Sequence, residues 1–219
     1  LDEQIGRVQP KVLWLQDAFY HELTPEAADD YETIVVVSNW HKERMHEQHG
    51  VPLDKMVVLY NFVLAEHFAI PDPPVRKRDH FIYASSPDRG LVRLLELWPH
   101  ILAKLPDATL DIFYGWRGCE KLAMGEPAWT KRYTDARIRY EALRHQPGVK
   151  YRGMVDHVTL ARAYASAGVW CYPTEFGETC CAATLKARAS GAIPVCPPLA
   201  GLAETANCVE TQWIPDPNN

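Results

Sequence analysis

Two loops of this sequence combine small hydroxyl side chains, glycine and charged residues in an order that suits an anionic ligand. The first is Ser85-Ser86-Pro87-Asp88-Arg89-Gly90, which stands directly before a helical pattern. Backbone amides and the helix dipole favour an anion at a helix start, and an arginine can hold a phosphate through two hydrogen bonds. The loop therefore predicts a phosphate cradle. An ordinary capped helix start is the alternative, because Ser-Pro-Asp is a common amino-terminal helix signal.

The second loop, 172–181, places a glycine between carboxylates. Within it, Gly177 offers backbone amides for a phosphate, while Glu175 and Glu178 can accept hydrogen bonds from hydroxyl groups. This combination suits a phosphorylated sugar. The alternative is that Glu178 and Thr179 only cap the helix that follows.

The elements that position these loops predict an α/β architecture. Short apolar runs, rich in β-branched and aromatic residues, alternate with helical patterns. The predicted strands are 11–16, 33–38, 56–60, 80–85, 109–115, 149–153, 168–173 and 192–196, and the later predicted helices are 89–104, 130–145, 157–166 and 180–190. Such strands, joined by helices, predict doubly wound parallel sheets of the Rossmann type. Ligands bind beyond the carboxyl ends of these strands, where both loops lie.

A proline-rich segment, IPDPPVRKRD, divides the strands into two groups. Its three prolines lack backbone donors and its basic cluster Arg76-Lys77-Arg78 is predicted to be solvated, which favours a hinge. We expect a partial Rossmann-like domain over residues 1–70, a hinge over 71–79 and a ligand-binding Rossmann-like domain over 80–219. Three strands before the hinge are fewer than the usual five or six, so we expect an amino-terminal part of the first domain to be missing.

Composition and charge exclude several classes of protein. The chain has 219 residues, 47% hydrophobic and 23% charged, which is globular composition. No apolar run approaches the ~18 residues of a membrane span and the start lacks a signal-peptide pattern, so we expect no transmembrane segment and a cytoplasmic location. The net charge of −5 argues against general nucleic-acid binding.

The distribution of charge separates the two parts of the chain. Residues 1–75 carry 5 basic and 13 acidic side chains, whereas residues 76–219 carry 18 and 15. An anionic ligand therefore belongs to the second part. Chance asymmetry of solvated surfaces is the alternative. The helical pattern over 130–145 also interleaves basic and aromatic residues, and its alternating charge favours a surface helix over a nucleic-acid or membrane contact.

Metal and disulfide chemistry find little support in the sequence. The six cysteines lack C-x2-C spacing, and four of them stand among apolar or small residues, which predicts buried thiols; the six are Cys119, Cys171, Cys180, Cys181, Cys196 and Cys208. His41, His46 and His49 share one predicted helix, but their charged neighbours predict a solvated face rather than a metal site.

Together, the two loops resemble a known family. From Phe81 to Glu204 the sequence resembles the donor-binding, carboxyl-terminal domain of retaining GT-B glycosyltransferases of the group-1 type, which carry a Glu-x7-Glu motif. The matching stretch begins at Glu178 and ends at Val195, preceded by VWCYPTEFG, with SSPDRG at the position of the family's phosphate loop. Upstream, IVVVSNWHKERM and VVLYNFVLAEHF resemble the end of the family's amino-terminal domain. The resemblance covers roughly residues 10–205.

The resemblance implies a GT-B fold and transfer of a sugar from a nucleoside-diphosphate sugar to a glycan, lipid or protein acceptor, with retention of configuration. It implies neither a metal nor another cofactor. Arg89 takes the position of a basic residue on the donor pyrophosphate, and Glu178 matches the first motif glutamate, which contacts the donor sugar; these two are the implied catalytic residues. The implied donor-binding residues are Ser85, Ser86, Arg89, Gly90, Gly153, Met154, Val155, Phe176, Gly177, Glu178, Thr179, Cys180 and Lys186.

Three positions depart from the family pattern. Lys186 replaces the second motif glutamate, and an ammonium group cannot accept ribose hydroxyl hydrogen bonds. Ala84 replaces an arginine that many members carry, and Gln16 stands where related sequences can have histidine. A nucleotide-sugar epimerase or hydrolase of the same architecture, and a non-catalytic glycosyltransferase-like binding module, are therefore alternatives to a transferase.

Overall fold

A computed structural model describes residues 10–124, 127–207 and 211–214 of the chain. The strands are β1 (Val12–Trp14), β2 (Thr33–Val36), β3 (Met56–Val58), β4 (Lys77–Ala84), β5 (Thr109–Phe113), β6 (Val149–Gly153), β7 (Ala167–Cys171), β8 (Ile193–Cys196) and β9 (Gln212–Trp213). The helices are α1 (Pro25–Asp29), α2 (Asn39–His49), α3 (Ala65–Phe68), α4 (Leu91–Lys104), α5 (Arg117–Ala123), α6 (Pro127–Leu143), α7 (His157–Ser166), α8 (Ala182–Ser190) and α9 (Leu202–Thr205), with a 3₁₀ turn at Leu53–Lys55. Neighbouring strands pair in parallel, so the predicted α/β architecture is confirmed.

The chain divides into two compact units. The first runs through Phe62 and takes in two later segments, Gly177–Cys181 and Leu199–Thr205. The second contains Val63–Phe176, Ala182–Pro198 and the residues from Ala206 onward. The domain boundaries that the sequence predicts, at residues 70 and 79, stay a prediction.

In the first unit, the described strands form a sheet in the order β1-β2-β3. Side chains alternate across this sheet, and one face packs its apolar residues into a core with Met45 of α2. On the other face, Trp14, Val35 and Val57 lie in register in one row. Trp14 and Val57 are about half exposed, at 49% and 53%, so the two faces of this sheet differ in burial although both are apolar.

The histidines of α2 correct one expectation. His41 and His49 are buried, so the predicted solvated face is wrong for these two residues. His41 Nδ1 accepts the Val37 amide at 3.3 Å, which leaves Nε2 to donate to the Asp17 carbonyl at 2.9 Å. His46 Nδ1 pairs with a different carbonyl, that of Val51, at 2.9 Å. His49 Nδ1 lies 3.0 Å from the Leu23 carbonyl oxygen, so each of the three rings bonds different backbone groups. Within the described residues, no group of three or more His, Cys, Asp or Glu side chains is placed to hold a metal ion.

In the second unit, the described strands form a sheet in the order β6-β5-β4-β7-β8-β9. Counted along this unit, that order is the 3-2-1-4-5-6 of the Rossmann fold, whose topological switch point lies between the first and fourth strands. Here these strands are β4 and β7. The amphipathic helix α4 covers one face, where Trp98, fully buried, meets the Phe81 ring edge-on at 5.5 Å.

The start of β4 differs from expectation, whereas the basic cluster Arg76-Lys77-Arg78 is exposed, as predicted. The strand begins at Lys77 rather than residue 80, because the backbone of this stretch pairs with β7 at Ala167. Arg76 also contacts protein: its guanidinium donates to the Ala167 carbonyl at 2.8 Å and to the Ser190 carbonyl. Side-chain hydrogen bonds to backbone carbonyls thus compete with water for this arginine.

The five cysteines in the described part of the chain are buried and outside any disulfide, and the sequence predicts the burial of four of them; Cys208 lies outside the described residues. None of the helices in the described residues has both the length and the hydropathy of a membrane span.

Candidate functional site

The two loops predicted from the sequence follow β4 and β7, the neighbouring strands between which the strand order of the second-unit sheet reverses. The segment Ser85–Gly90 follows β4, and Tyr172–Phe176 follows β7. Because β4 and β7 are parallel neighbours at the topological switch point, their carboxyl ends open into the crevice where ligands bind in such sheets. The structure therefore brings the two predicted loops together.

Gly90 packs closely against the backbone of the second loop. A Cβ placed on Gly90 would lie 2.6 Å from the Pro173 carbonyl oxygen, and the residue has a φ of 105°. Both facts require glycine, since a side chain would clash with backbone and strain the chain. Gly90 is also the N-cap of α4, and it makes no side-chain cap hydrogen bond. Gly90, and not the Ser-Pro-Asp residues, therefore caps α4, while the phosphate cradle and the ordinary helix start both stay predictions.

Arg89 and Phe176 meet across the crevice. The Arg89 guanidinium lies over the Phe176 ring, 4.1 Å from its centroid. Cation–π contact at this distance orients the guanidinium plane, which carries five N–H donors in a fixed geometry. Next to it, Arg93 Nη1 pairs with Glu175 Oε1 at 2.6 Å, so Glu175 is engaged by a helix α4 residue that sequence reasoning did not select.

The serine hydroxyls of the first loop have different partners. Ser85 Oγ lies 3.3 Å from the Tyr172 hydroxyl. Ser86 Oγ donates to Asp88 Oδ1, which also accepts the Cys119 thiol at 3.0 Å. Burial raises the pKa of Cys119, so its thiol keeps the proton that it donates. To donate to a phosphate, the Ser86 hydroxyl must therefore give up its hydrogen bond to the Asp88 carboxylate. The Ser85 hydroxyl would give up only its contact with the Tyr172 hydroxyl.

The third predicted loop, Gly153–Val155, follows β6 on the same half of the sheet. Gly153 has a φ of 72°, and its carbonyl accepts the Tyr114 amide at 3.0 Å. Met154 and Val155 are 70% and 36% exposed. The loop thus presents apolar side chains at the carboxyl edge, and Tyr114 joins it there from the end of β5. Tyr114 was not selected from the sequence, although the aromatic residue before Gly115 was the available signal.

A groove of about 860 Å³ runs between α4 and α6 beside these loops. Of the residues predicted for the site, it includes Gly90. Its charged side chains pair with one another: Lys131 Nζ lies 3.3 Å from Asp135 Oδ2, and Arg139 pairs with Glu96. Because these charges are mutually compensated, the crevice between the loops after β4 and β7 is the better candidate for an anion.

Four further predicted residues, Gly177, Glu178, Thr179 and Cys180, lie in the first unit. Glu178 is buried, at 7% exposure, and its carbonyl accepts the Gly201 amide at 2.9 Å. Thr179 Oγ1 donates to the Gln16 carbonyl at 2.7 Å, while α8 begins only at Ala182. The Thr179 hydroxyl therefore holds the loop after β1 rather than capping α8. Cys180 is buried as well, and burial raises the pKa of its thiol.

Gly177 and Lys186 complete the predicted set. A Cβ on Gly177 would make only ordinary contacts, 3.7 Å from Ala200 and 3.9 Å from Trp40, so sterics do not require glycine there. Lys186 lies half-buried on α8. The structure thus places Arg89, Gly90 and Phe176 in one crevice, and groups Gly177, Glu178, Thr179 and Cys180 with the first unit.

The strand order and the paired loops at its switch point define a Rossmann-type α/β domain. No family model matches the chain, and no curated protein matches its sequence. Solved structures do match. Anabaena HepE in complex with UDP-glucose matches with a TM-score of 0.64 and 16% identity, over 95% of this chain and 59% of that chain. S. aureus TarM, in a complex that includes UDP, gives 0.64 and 13%, over 95% and 41%.

A UDP-forming trehalose-phosphate synthase from Burkholderia xenovorans gives a TM-score of 0.62 and 14% identity, over 92% of this chain and 56% of that chain. The fold is therefore the GT-B glycosyltransferase fold, which confirms the fold that the resemblance implied. The chain spans 41% to 59% of the length of these three structures.

Proposed function

We propose that this chain binds a nucleoside-diphosphate sugar and serves in transfer of the sugar to an acceptor, with retention of anomeric configuration. The observation that carries the proposal is the crevice between the loops after β4 and β7, where Gly90 meets Pro173 and Arg89 lies over Phe176. Neighbours of the same fold were solved with UDP-glucose and with UDP.

The chemistry of the crevice suits a departing diphosphate. Negative charge grows on the leaving group as the sugar bond breaks, and preorganised donors stabilise such charge most where they need not reorganise. Arg89, oriented by Phe176, would supply the positive charge that stabilises the diphosphate. The amides at the start of α4 would add hydrogen-bond donors, because Gly90 brings no capping side chain. In this scheme Ser85 and Ser86 donate their hydroxyls, and no metal is required.

Glu178 has a separate role in the proposal. Its carboxylate would orient the donor sugar by accepting hydroxyl hydrogen bonds, with the amides of Gly177 through Cys180 facing sugar and phosphate. Gly153, Met154 and Val155 would pack on the base. The acceptor, whether glycan, lipid or protein, and a cytoplasmic location stay predictions from the sequence.

A non-catalytic nucleotide-binding module is the second candidate, and Lys186 favours it. This cation stands half-buried on α8 where the resemblance leads one to expect a carboxylate that accepts ribose hydroxyls. A module of this kind binds the donor and does not turn it over.

The test is calorimetry with UDP, GDP and UDP-glucose on the wild-type chain, Arg89→Ala and Glu178→Gln. A ligand of the folded state stabilises it by ~2.7 kcal/mol at a hundredfold excess over Kd, so thermal shifts give a second readout. We expect Arg89→Ala to abolish binding of all three nucleotides. We expect Glu178→Gln to weaken binding of UDP-glucose only. Arg162→Ala, an exposed arginine on α7, is the control.

Absence of binding by the wild-type chain at millimolar nucleotide would contradict the proposal. Binding without sugar transfer to any acceptor would favour the non-catalytic module. Consumption of the donor without an acceptor would instead indicate an epimerase or hydrolase.

A further inference from the structure

The groove of about 860 Å³ between α4 and α6 lies in the second unit and has the size of an ordinary ligand site. Helix α4 contributes Glu96 and Leu97 to its walls, and helix α6 contributes Asp135 and Arg139. None of these four residues was predicted for the donor site from the sequence. Their arrangement therefore needs an explanation of its own.

Ion pairs hold the charged side chains of the groove in place. Arg139 donates to Glu96 Oε1 through Nη2 and, at 3.1 Å, through Nε. Lys131 Nζ pairs with Asp135 Oδ2 at 3.3 Å. Side chains that are already ordered lose less freedom when a ligand binds them, which favours binding.

Three carboxylates of the groove each keep one oxygen without a protein partner. Within the described ranges, Glu96 Oε2, Asp135 Oδ1 and Glu175 Oε2 accept no hydrogen bond, because the contacts of these groups go to the other oxygen. The three side chains are 41%, 57% and 55% exposed, so a ligand can reach them. Arg139 Nη1 likewise has no hydrogen-bond partner among the described residues. The groove thus offers fixed acceptors beside a fixed donor.

The charges of the groove cancel in pairs. Arg93 Nη1 lies 2.6 Å from Glu175 Oε1, which completes three ion pairs. Asp88, which also lines the groove, accepts the Ser86 hydroxyl and the Cys119 thiol. A charged ligand would compete with a counterion that is already in contact. A hydroxyl group would not, and it can donate to a carboxylate oxygen or accept from a guanidinium. The groove therefore suits a neutral ligand with many hydroxyl groups.

Apolar surface lies between these polar groups. Leu97 is 41% exposed, and Pro87, Ala136 and Pro173 also line the groove. A sugar ring carries hydroxyl groups around its rim and C–H groups on its faces. The faces can bury apolar area against these side chains while the rim forms hydrogen bonds. An extended groove with both kinds of surface fits a chain of sugar rings.

From this arrangement we propose that the groove between α4 and α6 binds a neutral oligosaccharide, at a carbohydrate site distinct from the candidate donor crevice. Glu96 and Asp135 accept hydroxyl hydrogen bonds from the ligand, Arg139 donates to it, and Leu97 packs against a ring face. The inference goes beyond the proposed function, because it requires neither a nucleotide nor sugar transfer.

Calorimetric titration of the chain with three neutral hexasaccharides, maltohexaose, cellohexaose and chitohexaose, tests the inference. We expect at least one to bind, and we expect Glu96→Ala and Asp135→Ala each to weaken its binding about fivefold or more. Glu141→Ala is the matched control. Glu141 lies on α6, pairs with Arg137 at 3.0 Å and has a side chain 44% exposed, against 41% for Glu96, but it does not line the groove. This variant should keep the wild-type affinity.

Absence of binding by all three hexasaccharides at millimolar concentration overturns the inference. Wild-type affinity in both Glu96→Ala and Asp135→Ala overturns it too, as does an equal loss in Glu141→Ala, since the loss would then follow removal of any exposed ion pair. Competition between UDP and the hexasaccharide would place the sugar chain in the donor crevice and also overturn it. Hexasaccharide binding by a chain that binds no nucleotide would support the inference while the proposed function fails.

Discussion

Glu204 closes the amino-terminal end of α2 by accepting the Trp40 amide at 2.7 Å, across 164 residues of chain. The same carboxylate accepts the Asn39 amide at 3.0 Å, while Ser38 Oγ accepts the His41 amide. A helix start leaves four amides without intrahelical partners, and a carboxylate there also interacts favourably with the helix dipole. Two acceptors from distant parts of the sequence therefore satisfy the first turn of α2.

We expect Glu204→Gln to destabilise this helix start. The glutamine side chain has no charge, and its NH₂ group would face backbone N–H groups that Glu204 now accepts. Hydrogen bonds to a charged group contribute about 1.5–3 kcal/mol, which is the loss that we expect. Hydrogen exchange at Asn39 and Trp40 should accelerate, and urea unfolding should report the lost stability. Glu47→Gln, an exposed position on the same helix, is the matched control. Equal effects of the two substitutions would contradict the capping role.

The same carboxylate controls the ionisation of Tyr60. The Tyr60 hydroxyl donates to Glu204 Oε2 at 2.7 Å, and this hydrogen bond, with smaller contributions from burial and charge, raises the pKa of Tyr60 to about 12. Ultraviolet difference titration of wild type against Tyr60→Phe should isolate this phenol. In Glu204→Gln we expect its pKa to fall toward the ordinary value near 10. An unchanged Tyr60 pKa in Glu204→Gln would rule out this coupling.

Burial of His41 predicts a loss of stability in mild acid. Burial lowers the pKa of His41, and its hydrogen bond to the Asp17 carbonyl offsets this only in part. The unfolded state, with a pKa near 6.5, then binds more protons than the folded state, so stability rises with pH in this window. The contribution is complete above about pH 6.5 and falls below it, by at most about 1.4 kcal/mol per pH unit.

Urea unfolding from pH 7.5 to 5 measures this slope. His41→Asn should flatten it, because the variant has no ring to protonate. His100→Asn removes an exposed histidine on α4 and should keep the wild-type slope. An unchanged slope in His41→Asn would show that another group carries the acid sensitivity.

Gly90→Ala should damage the crevice directly. The added Cβ would lie 2.6 Å from the Pro173 carbonyl oxygen at a φ of 105°. Backbone must then shift, so we expect a loss of more than about 2 kcal/mol in stability together with weakened nucleotide binding. Gly118→Ala is the control, since a Cβ there meets nothing within 4 Å. Wild-type stability in Gly90→Ala would mean that the two loops can separate without cost.

The elements could be predicted from the sequence because their patterns are local. Eight of the strands described in the structure overlap predicted ones, and α4, α6, α7 and α8 overlap the four predicted helices. Apolar runs and helical periodicity record burial within a few residues. The end of the α4 pattern at Lys104 was predicted correctly, whereas its start is at Leu91 rather than residue 89, because Gly90 caps it.

The site was predicted in part for the same reason. The Ser85–Gly90 and 172–181 loops are recognisable because each carries its chemistry in a few consecutive residues. Tyr114 was not selected, because a positive φ leaves no signature in residue type and its one sequence signal was an aromatic residue before Gly115. The burial of His41 was missed because its charged neighbours along the helix predicted a solvated face. The Val37 amide and the Asp17 carbonyl, which its ring contacts, have no signature in the sequence.

By itself, the sequence determined the alternation of strands and helices and the two loops at strand ends, since hydrophobic periodicity and turn chemistry depend on neighbours along the chain. Only the tertiary structure decided that Arg89 lies over Phe176, that Gly90 meets Pro173 and that Glu204 caps α2. These contacts join residues 83 or more positions apart, or 164 for the cap. They follow from strand order and packing, which no local pattern encodes.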